Sequence, residues 1–455
     1  MKYKKIYDIA PVFVQNIMTS VYGKILMDKR YGKKYREHMK FLRSNFTQID
    51  HSRYQLEALN TFLQYVYNNS NYYRKVINQE LLPLKSIADL DKLPILTKEL
   101  IRSKIDEIVT APKNTLSPSF TGGTTGKSLN IFYDFEDFEK RVAFLDFFKE
   151  RHGVLHEMKR ASFTGKNLIP VKQKKKVFWR YNYPLKQLLF SSFHLTEENI
   201  PHYIKALNKF KPQSLDGFPS VMVTLAKYIV RNNIKLSFKL IAIFPTAETV
   251  SDNDREIIEM AFKAKMRNQY ASSEGAPFIT ECLEGNLHLD IMTGVFEKVD
   301  KDKDVSEVYV TAFETKGTPL VRYKIGDVLE FTNRKCTCGY NAPLVNRIIG
   351  RSMDFLYSKE RGKISNANMS NTIKNLPNSI INIQFVQEVE DEIEILIVKD
   401  KTVYKSSHER DLLDEMKIRL GESIKFSIQY VNEISVENSG KYRMVKNNMG
   451  NLEKI

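Results

Sequence analysis

Between Phe135 and Ala264 helical and strand periodicities alternate, and that alternation restricts the fold more than any other feature of the chain. Apolar spacing predicts helices over Phe135–His152, Ile200–Phe210, Pro219–Asn232 and Asp252–Ala264, with a strand at Leu240–Phe244. Short strands alternating with helices bury both faces of a sheet, so the expected class is α/β with layered sheets covered on both sides. Upstream, Phe13, Val14, Ile17, Val21 and Ile25 mark a helical stripe over Ala10–Leu26, with Pro11 suited to a first turn. Tyr54–Val76 reads as a second amphipathic helix, rich in aromatics. Beyond Arg351 the texture changes. Ile381–Val386 and Ile393–Val398 read as a hairpin turning at the acidic Glu388–Glu392, followed by a helix at Glu409–Leu420 and a strand at Lys425–Val431. That is a compact α+β unit of about 100 residues. The expected division is 1–350 and 351–455.

A chain of 455 residues is long enough for a large core, and 42% hydrophobic with 27% charged residues is an ordinary globular composition. No apolar run approaches the roughly 18 residues of a membrane span. The start, Met1-Lys-Tyr-Lys-Lys5, has no signal-peptide core after it, and three cysteines are too few for a disulfide framework. These features predict a cytoplasmic protein.

The net charge of +16 is concentrated. Met1–Phe46 carries 11 Lys/Arg against three Asp/Glu, and Lys159–Arg180 carries eight Lys/Arg and no acid, so each segment holds +8. No zinc-finger spacing or RNA-recognition signature accompanies this charge, so no nucleic-acid partner is expected. A solvated basic surface, attraction to an anionic substrate and peripheral contact with an anionic membrane remain as readings. The stripe of the first helix is narrow, with Asn, Met and Tyr interrupting it, so the helix is expected to dock on the protein body rather than on a membrane.

Thr121-Gly122-Gly123-Thr124-Thr125-Gly126-Lys127-Ser128 is a loop of small residues whose N–H groups and hydroxyls can surround an anion. A P-loop needs glycine at position 121, and the polar Ala111–Phe120 that precedes it is no buried strand, so a P-loop phosphotransferase is disfavoured. Three further motifs follow in order: Tyr270-Ala-Ser-Ser273-Glu274, Arg322-Tyr-Lys-Ile-Gly-Asp327, and Gly350-Arg351-Ser-Met-Asp354.

Together these stretches resemble the phosphate loop, the Tyr-Gly-x-Ser/Thr-Glu segment, the Arg-Tyr-x-x-Gly-Asp segment and the hinge of the adenylate-forming enzymes. Gly122, Ala271 and Ser128 depart from that pattern. Tyr54-Gln55, Tyr72-Tyr73-Arg74, Leu93–Lys98, Lys211-Pro212 and Gly217–Ser220 are similar to the phenylacetate–CoA ligase-like branch, which includes members from capsular polysaccharide loci. The resemblance runs from about Tyr54 to Lys441. It implies a large N-terminal α/β domain of the adenylate-forming type and a small, mobile α+β C-terminal domain, turning about Asp354. It further implies ATP-dependent activation of a small carboxylic acid to an acyl-adenylate, followed by transfer to coenzyme A, in capsule biosynthesis.

The same resemblance distributes roles. Thr121–Lys127 would hold the β- and γ-phosphates, Ser273 the α-phosphate, and Glu274 magnesium, a hard dication that prefers oxygen ligands. Asp327 and Arg351 would take the ribose hydroxyls. Thr246-Ala247-Glu248, past the end of a strand, would line the adenine, and Tyr270 would be a further nucleotide-binding residue. Lys441, in Gly440-Lys-Tyr-Arg443, resembles the catalytic lysine, with Lys446 as the fallback. The acyl pocket is expected around Ser191–His194, Gly217 and Thr246. Without the series, Ser272-Ser273-Glu274 reads as a helix N-cap and Gly326-Asp327 as a turn between two strands.

Cys282, His288, Cys336 and Cys338 provide three thiolates and an imidazole, a complete structural zinc shell with no open position. The bland reading is three reduced cysteines packed as small apolar groups, with His288 on a strand at Leu287–Ile291. Two further functional readings stay open: transfer of the acyl group to an amine such as an amino sugar, and a basic nucleic-acid or membrane-binding protein with a decayed site. Retention of Glu274, Asp327, Arg351 and Lys441 argues against decay.

Overall fold

A computed structural model describes residues 2–48, 50–120, 129–165, 168–170, 173, 175–196, 198–247, 250, 252–349, 355–365, 369, 372, 379–399, 403–432, 434 and 444–449. Six helices open the chain: α1 (Lys2–Ile9), α2 (Val12–Arg30), α3 (Lys33–Asn45), α4 (His51–Asn69), α5 (Asn71–Val76) and α6 (Lys98–Ile108). The single helix expected over Tyr54–Val76 is two. Ser70 takes extended backbone between them, and its hydroxyl accepts from the N–H of Tyr73, capping α5. A side chain that hydrogen-bonds nearby backbone competes with helix continuation, which is why serine breaks the pattern here. A hairpin, β1 (Ser117–Phe120) and β2 (Asn130–Tyr133), then leads into α7 (Phe135–Arg151), capped by the Asp134 carboxylate.

The first large sheet has six strands: β3 (Arg160–Thr164), β4 (Trp179–Asn182), β5 (Gln187–Ser191), β6 (Ser214–Gly217), β7 (Ala242–Pro245) and β8 (Lys265–Met266), in spatial order β4-β5-β3-β6-β7-β8. Only β4 runs antiparallel to its neighbour. Helices α8 (Ile200–Phe210), α9 (Pro219–Arg231) and α10 (Asp252–Phe262) follow the parallel strands, and Leu207, Leu225 and Ile258 from them share one core with Phe163, Leu215 and Ile243 of the sheet. That is the layered arrangement the alternating pattern requires.

Strand β4 is an edge, and an edge strand leaves a row of backbone groups unpaired. Helix α2 covers it with its polar face. Asn16 Oδ1 accepts from Tyr181 N at 2.9 Å, Ser20 Oγ donates to Tyr181 O at 3.3 Å and accepts from Tyr183 N at 3.1 Å, and Gln15 Oε1 accepts from buried Arg180. Gln15, Thr19 and Gly23 are buried while Phe13, Ile17, Val21 and Ile25 are exposed. The apolar stripe therefore faces outward. The helix does pack on the body, but the hydrogen-bonding demand of an edge strand selected its polar side.

The second sheet is antiparallel: β9 (Gln269–Tyr270), β10 (Ile279–Glu281), β11 (Leu287–Leu289), β12 (Gly294–Lys298), β13 (Val305–Ala312), β14 (Leu320–Thr332) and β15 (Leu344–Ile348), in order β12-β13-β14-β15-β11-β10-β9. Leu63 and Val66 of α4, Tyr73 of α5 and Ile101 of α6 pack on Val310, Val321 and Tyr323 of this sheet. The two strands expected around a turn at Gly326-Asp327 are one strand, β14, with a bulge. Glu307 faces Val328 while Tyr309 faces Lys324, so extra residues sit opposite one partner, and Gly326 takes φ +81° to absorb them.

The remaining strands are β16 (Phe355–Ser358), β17 (Gly362–Ser365), β18 (Ile380–Val389), β19 (Glu392–Lys399), β20 (Lys425–Tyr430) and β21 (Val445–Asn447), with helix α11 (Ser406–Leu420). The β18–β19 hairpin is antiparallel and β20 and β21 flank it in parallel. Leu356, Phe385, Ile395, Leu412 and Met416 form a hydrophobic core of their own.

Candidate active site

Parallel β3, β6 and β7 end together, and the carboxyl ends of parallel strands are where layered α/β sheets bind ligands. Gly217, the last residue of β6, has φ +144°, and a Cβ there would lie 2.0 Å from the carbonyl oxygen of Phe163. Only glycine fits between those strand ends. Thr246 follows β7, its N–H donating to Gly217 O at 2.9 Å, and Ala247 beside it takes the left-handed φ of +66°. Gln269 Nε2 donates to Pro245 O at 3.2 Å, tying this edge to β9 of the second sheet.

The Tyr270–Glu274 segment leaves β9 as a turn, with no helix behind it, so the N-cap reading is overturned. Gly275 N donates to Ser272 O, and Ala276 N donates to Ser272 Oγ. The buried guanidinium of Arg141, on α7, clamps the turn by donating to Gly275 O at 2.8 Å and Ala276 O at 2.9 Å while lying 4.3 Å over the Phe278 ring. Tyr133, which ends the hairpin carrying the Thr121–Ser128 loop, donates from its hydroxyl to Ser273 O. Glu274 sits 3.5 Å from Lys98 Nζ, at the start of α6, with both side chains largely buried. Arg141 and the Lys98 pairing escaped sequence reasoning; the only local signal was Lys98 within its Leu-Pro-x-x-x-Lys turn.

Asp327 is aimed by the β14 bulge. Its Oδ2 accepts a 2.6 Å hydrogen bond from the Tyr270 hydroxyl, so these two sequence-predicted residues meet although 57 positions separate them. Arg322, at the head of the same motif, plays a different part. Its guanidinium lies 3.0 Å from Glu297 and donates to the carbonyls of Asp91 and Leu93, bracing the sheet against the segment before α6. Thr121–Lys127, Glu248, Arg351, Asp354 and Lys441 lie outside the described residues. Lys446 is on β21, within the C-terminal sheet.

A cavity of about 440 Å³ abuts Ala271–Ser273 from the side of α7 and α2, with Leu26, Phe135, Phe138, Val142 and Phe278 in its walls. The expected acyl pocket around Ser191–His194, Gly217 and Thr246 does not coincide with it. The sequence gives no warning of this wall, because α2 reaches it only through its packing on the first sheet.

A sulfur-rich cluster lies at the far end of the β10–β11 hairpin. Cys282 opens the hairpin loop, and His288 stands on β11 (Leu287–Leu289, shorter than the expected strand). Strand β15 pairs with β11, which draws the preceding loop with Cys336 and Cys338 across the hairpin end. The four ligand atoms lie within 4.8 Å of one another, with Cys282 Sγ–Cys336 Sγ at 3.6 Å and Cys338 Sγ–His288 Nε2 at 3.4 Å. A zinc tetrahedron with Zn–S of about 2.3 Å has edges of roughly 3.8 Å. Burial holds the His288 imidazole neutral, its pKa down at about 4, which is the ligating form. The donor set and its spacing fit zinc.

A family model described as the CapK C-terminal domain matches residues 356–448. Protein CapK of Staphylococcus aureus is 44% identical over 449 residues, 98% of this chain and 99% of that protein. The chain belongs to the CapK family. Phenylacetate-coenzyme A ligase of Thermus thermophilus is 24% identical over 341 residues, 66% of this chain and 70% of its own. Among solved structures, 2-hydroxyisobutyryl-CoA ligase in complex with 2-HIB-AMP and CoA in the thioesterification state matches with a TM-score of 0.57 at 16% identity, over 89% of this chain and 91% of that one. This member of the CapK family therefore has the adenylate-forming fold, a large N-terminal α/β domain followed by a small C-terminal one. Among the described residues, no helix is long and apolar enough to cross a membrane.

Proposed function

We propose that this protein is an AMP-forming carboxylate ligase that activates an acid with ATP and passes the acyl group to coenzyme A. The observation that carries the reading is the Tyr270–Asp327 pair beside the clamped Ser273–Glu274 turn, at the carboxyl edge of the parallel strands. Support from relatives comes from the phenylacetate-coenzyme A ligase and the 2-hydroxyisobutyryl-CoA ligase.

Activation joins two anions, so the site must neutralise charge and hold the carboxylate in line with the α-phosphorus. In this reading Asp327 accepts both ribose hydroxyls, with Tyr270 holding its carboxylate in place. Arg351 makes the second ribose contact, and Thr246–Glu248 lines the adenine. Thr121–Lys127 surrounds the β- and γ-phosphates. Glu274 would hold magnesium, which would supply positive charge beside the phosphates, and Lys98 balances the Glu274 carboxylate. Lys441 stabilises the charge that builds between carboxylate and α-phosphate. The C-terminal domain, turning at Asp354, then withdraws Lys441 and opens the acyl-adenylate to the thiol. Zinc at Cys282, His288, Cys336 and Cys338 is structural, since four protein ligands leave no open position. Membership of the CapK family supports a place in capsule biosynthesis.

Acid-dependent ATP–pyrophosphate exchange, run across aryl, hydroxy, amino and fatty acids, tests the reading, with coenzyme A or an amine added afterwards to identify the acceptor. Exchange with one acid class and acyl-CoA formation are expected. Folded protein that gives neither AMP nor pyrophosphate with any acid would overturn it.

A further inference from the structure

Helix α2 is turned inside out, and α1 continues its outward face. Ile6, Ile9, Phe13, Ile17, Val21 and Ile25 are each between 48 and 86% exposed, spaced so that those of α2 form one continuous ridge. The polar face that would ordinarily meet water is consumed by the edge of β4. A row of large apolar side chains held outward by a polar anchor beneath is a surface awaiting a cover.

The charge around the ridge says what kind. The two segments that each carry +8, Met1–Phe46 and Lys159–Arg180, are far apart in sequence, but their described residues adjoin in the fold. Tyr7 donates from its hydroxyl to Leu168 O at 2.9 Å, and α2 lies along β4. Arg160 and Arg180 are inside, but Lys24, Lys29, Lys33, Arg36 and Lys40 are exposed around α2 and α3, and Lys159, Lys175 and Lys176 are exposed on the second segment. The acids nearby are outnumbered: Asp28 pairs with Lys24, Glu37 with Lys33 and Lys34, Glu136 lies 4.0 Å from Lys34, Glu198 pairs with Lys176, and Asp8 lies on α1.

We propose that the α1–α2 face docks on an anionic lipid bilayer, with the aliphatic ridge entering the acyl boundary and the flanking lysines meeting the headgroups. A helix with an apolar ridge and basic borders lies in the plane of such an interface, and anionic lipid attracts each basic group near it. A second copy of the chain is the competing occupant. Pairing two copies through this face would set its basic segments against one another, and like charges oppose that contact. The same helix supplies Leu26 and Lys29 to the cavity beside Ala271–Ser273, so the docked face lies close to the candidate active site.

Flotation of the full-length protein with phosphatidylcholine vesicles containing or lacking about a third phosphatidylglycerol tests this. The protein should float with the anionic vesicles only, and raising salt to about 0.5 M should weaken binding strongly, as screening requires. Phe13→Ser, Ile17→Ser and Val21→Ser together should weaken it at least tenfold, while the conservative pair Ile17→Val and Val21→Ile should float as the parent does. Circular dichroism verifies that each variant folds, and the lipid and salt comparisons need no variant. Failure of the parent protein to float, equal flotation with neutral vesicles, or flotation of the folded triple variant like the parent overturns the proposal. So does sedimentation velocity showing a dimer that the triple variant reduces to monomer, which would give the ridge to a second copy.

Discussion

Cys336→Ser probes the sulfur cluster in a way that separates a metal site from packed thiols. Tetrahedral bonds of about 2.3 Å to sulfur and about 2.0–2.1 Å to nitrogen require edges of roughly 3.5–3.8 Å. The 3.6 Å between Cys282 and Cys336 and the 3.4 Å between Cys338 and His288 already match, and with all four ligand atoms within 4.8 Å of one another, no pair needs to move by more than about 1 Å. Zinc would tie the loop between β14 and β15 to the β10–β11 hairpin, two pieces of backbone otherwise joined by strand pairing and the buried Tyr340. A site filled at a hundred times its dissociation constant adds about 2.7 kcal/mol to stability, and about 1 kcal/mol corresponds to a few degrees of Tm in a large domain. Protein purified without added zinc should contain about one equivalent by elemental analysis. Cys336→Ser should lose most of it and melt several degrees lower, and a strong chelator should bring the parent protein down to the same Tm. Metal-free protein whose Tm is unmoved by both chelator and substitution would refute the reasoning and leave three packed thiols.

Tyr270→Phe removes a hydrogen bond to a carboxylate, about 1.5–3 kcal/mol, and should raise the KM for ATP roughly tenfold or more. Asp327→Ala or Glu274→Ala should cost at least about a hundredfold in AMP formation, and wild-type rates in either would remove that residue from the site. Lys441→Ala should nearly abolish acyl-adenylate formation yet spare thioester formation from synthetic acyl-adenylate; equal loss in both halves would make the lysine structural and move attention to Lys446. Burial, with Asp137 nearby, pushes the Glu314 carboxyl up to about 7, so its contribution to stability is complete below its ordinary range near 4.5 and is lost as pH rises through 7. Glu314→Gln should therefore gain on the parent between about pH 5 and pH 8, by up to about 3 kcal/mol, as read from urea unfolding; a difference that does not change with pH would contradict this.

Local signals were enough for the elements that carry their own periodicity. Helix α8 coincides with the predicted Ile200–Phe210, and α7, α9 and the β18–β19 hairpin lie within a few residues of their predicted ranges. Each buries an apolar face whose spacing is written along the chain, so no distant partner is needed to recognise it. The motif series marked Tyr270, Glu274 and Asp327 for the same reason: short stretches of backbone with fixed side-chain needs keep their order.

What the tertiary structure decided were the encounters between distant segments. Asp327 meets Tyr270 because a bulge in β14 turns it, where the local sequence reads only as a turn. Arg141 clamps the Ser272–Ala276 turn from a helix more than a hundred residues away, and Lys98 meets Glu274 from the start of α6. The orientation of α2 is the sharpest case. Its amphipathic pattern was legible, but which face turns inward depended on an unpaired strand edge some 160 residues downstream, whose exposed N–H and C=O groups bind polar side chains and leave the aliphatic ones outside. Periodicity determines that a helix has two faces; only the partner's hydrogen-bonding demand determines which one is buried.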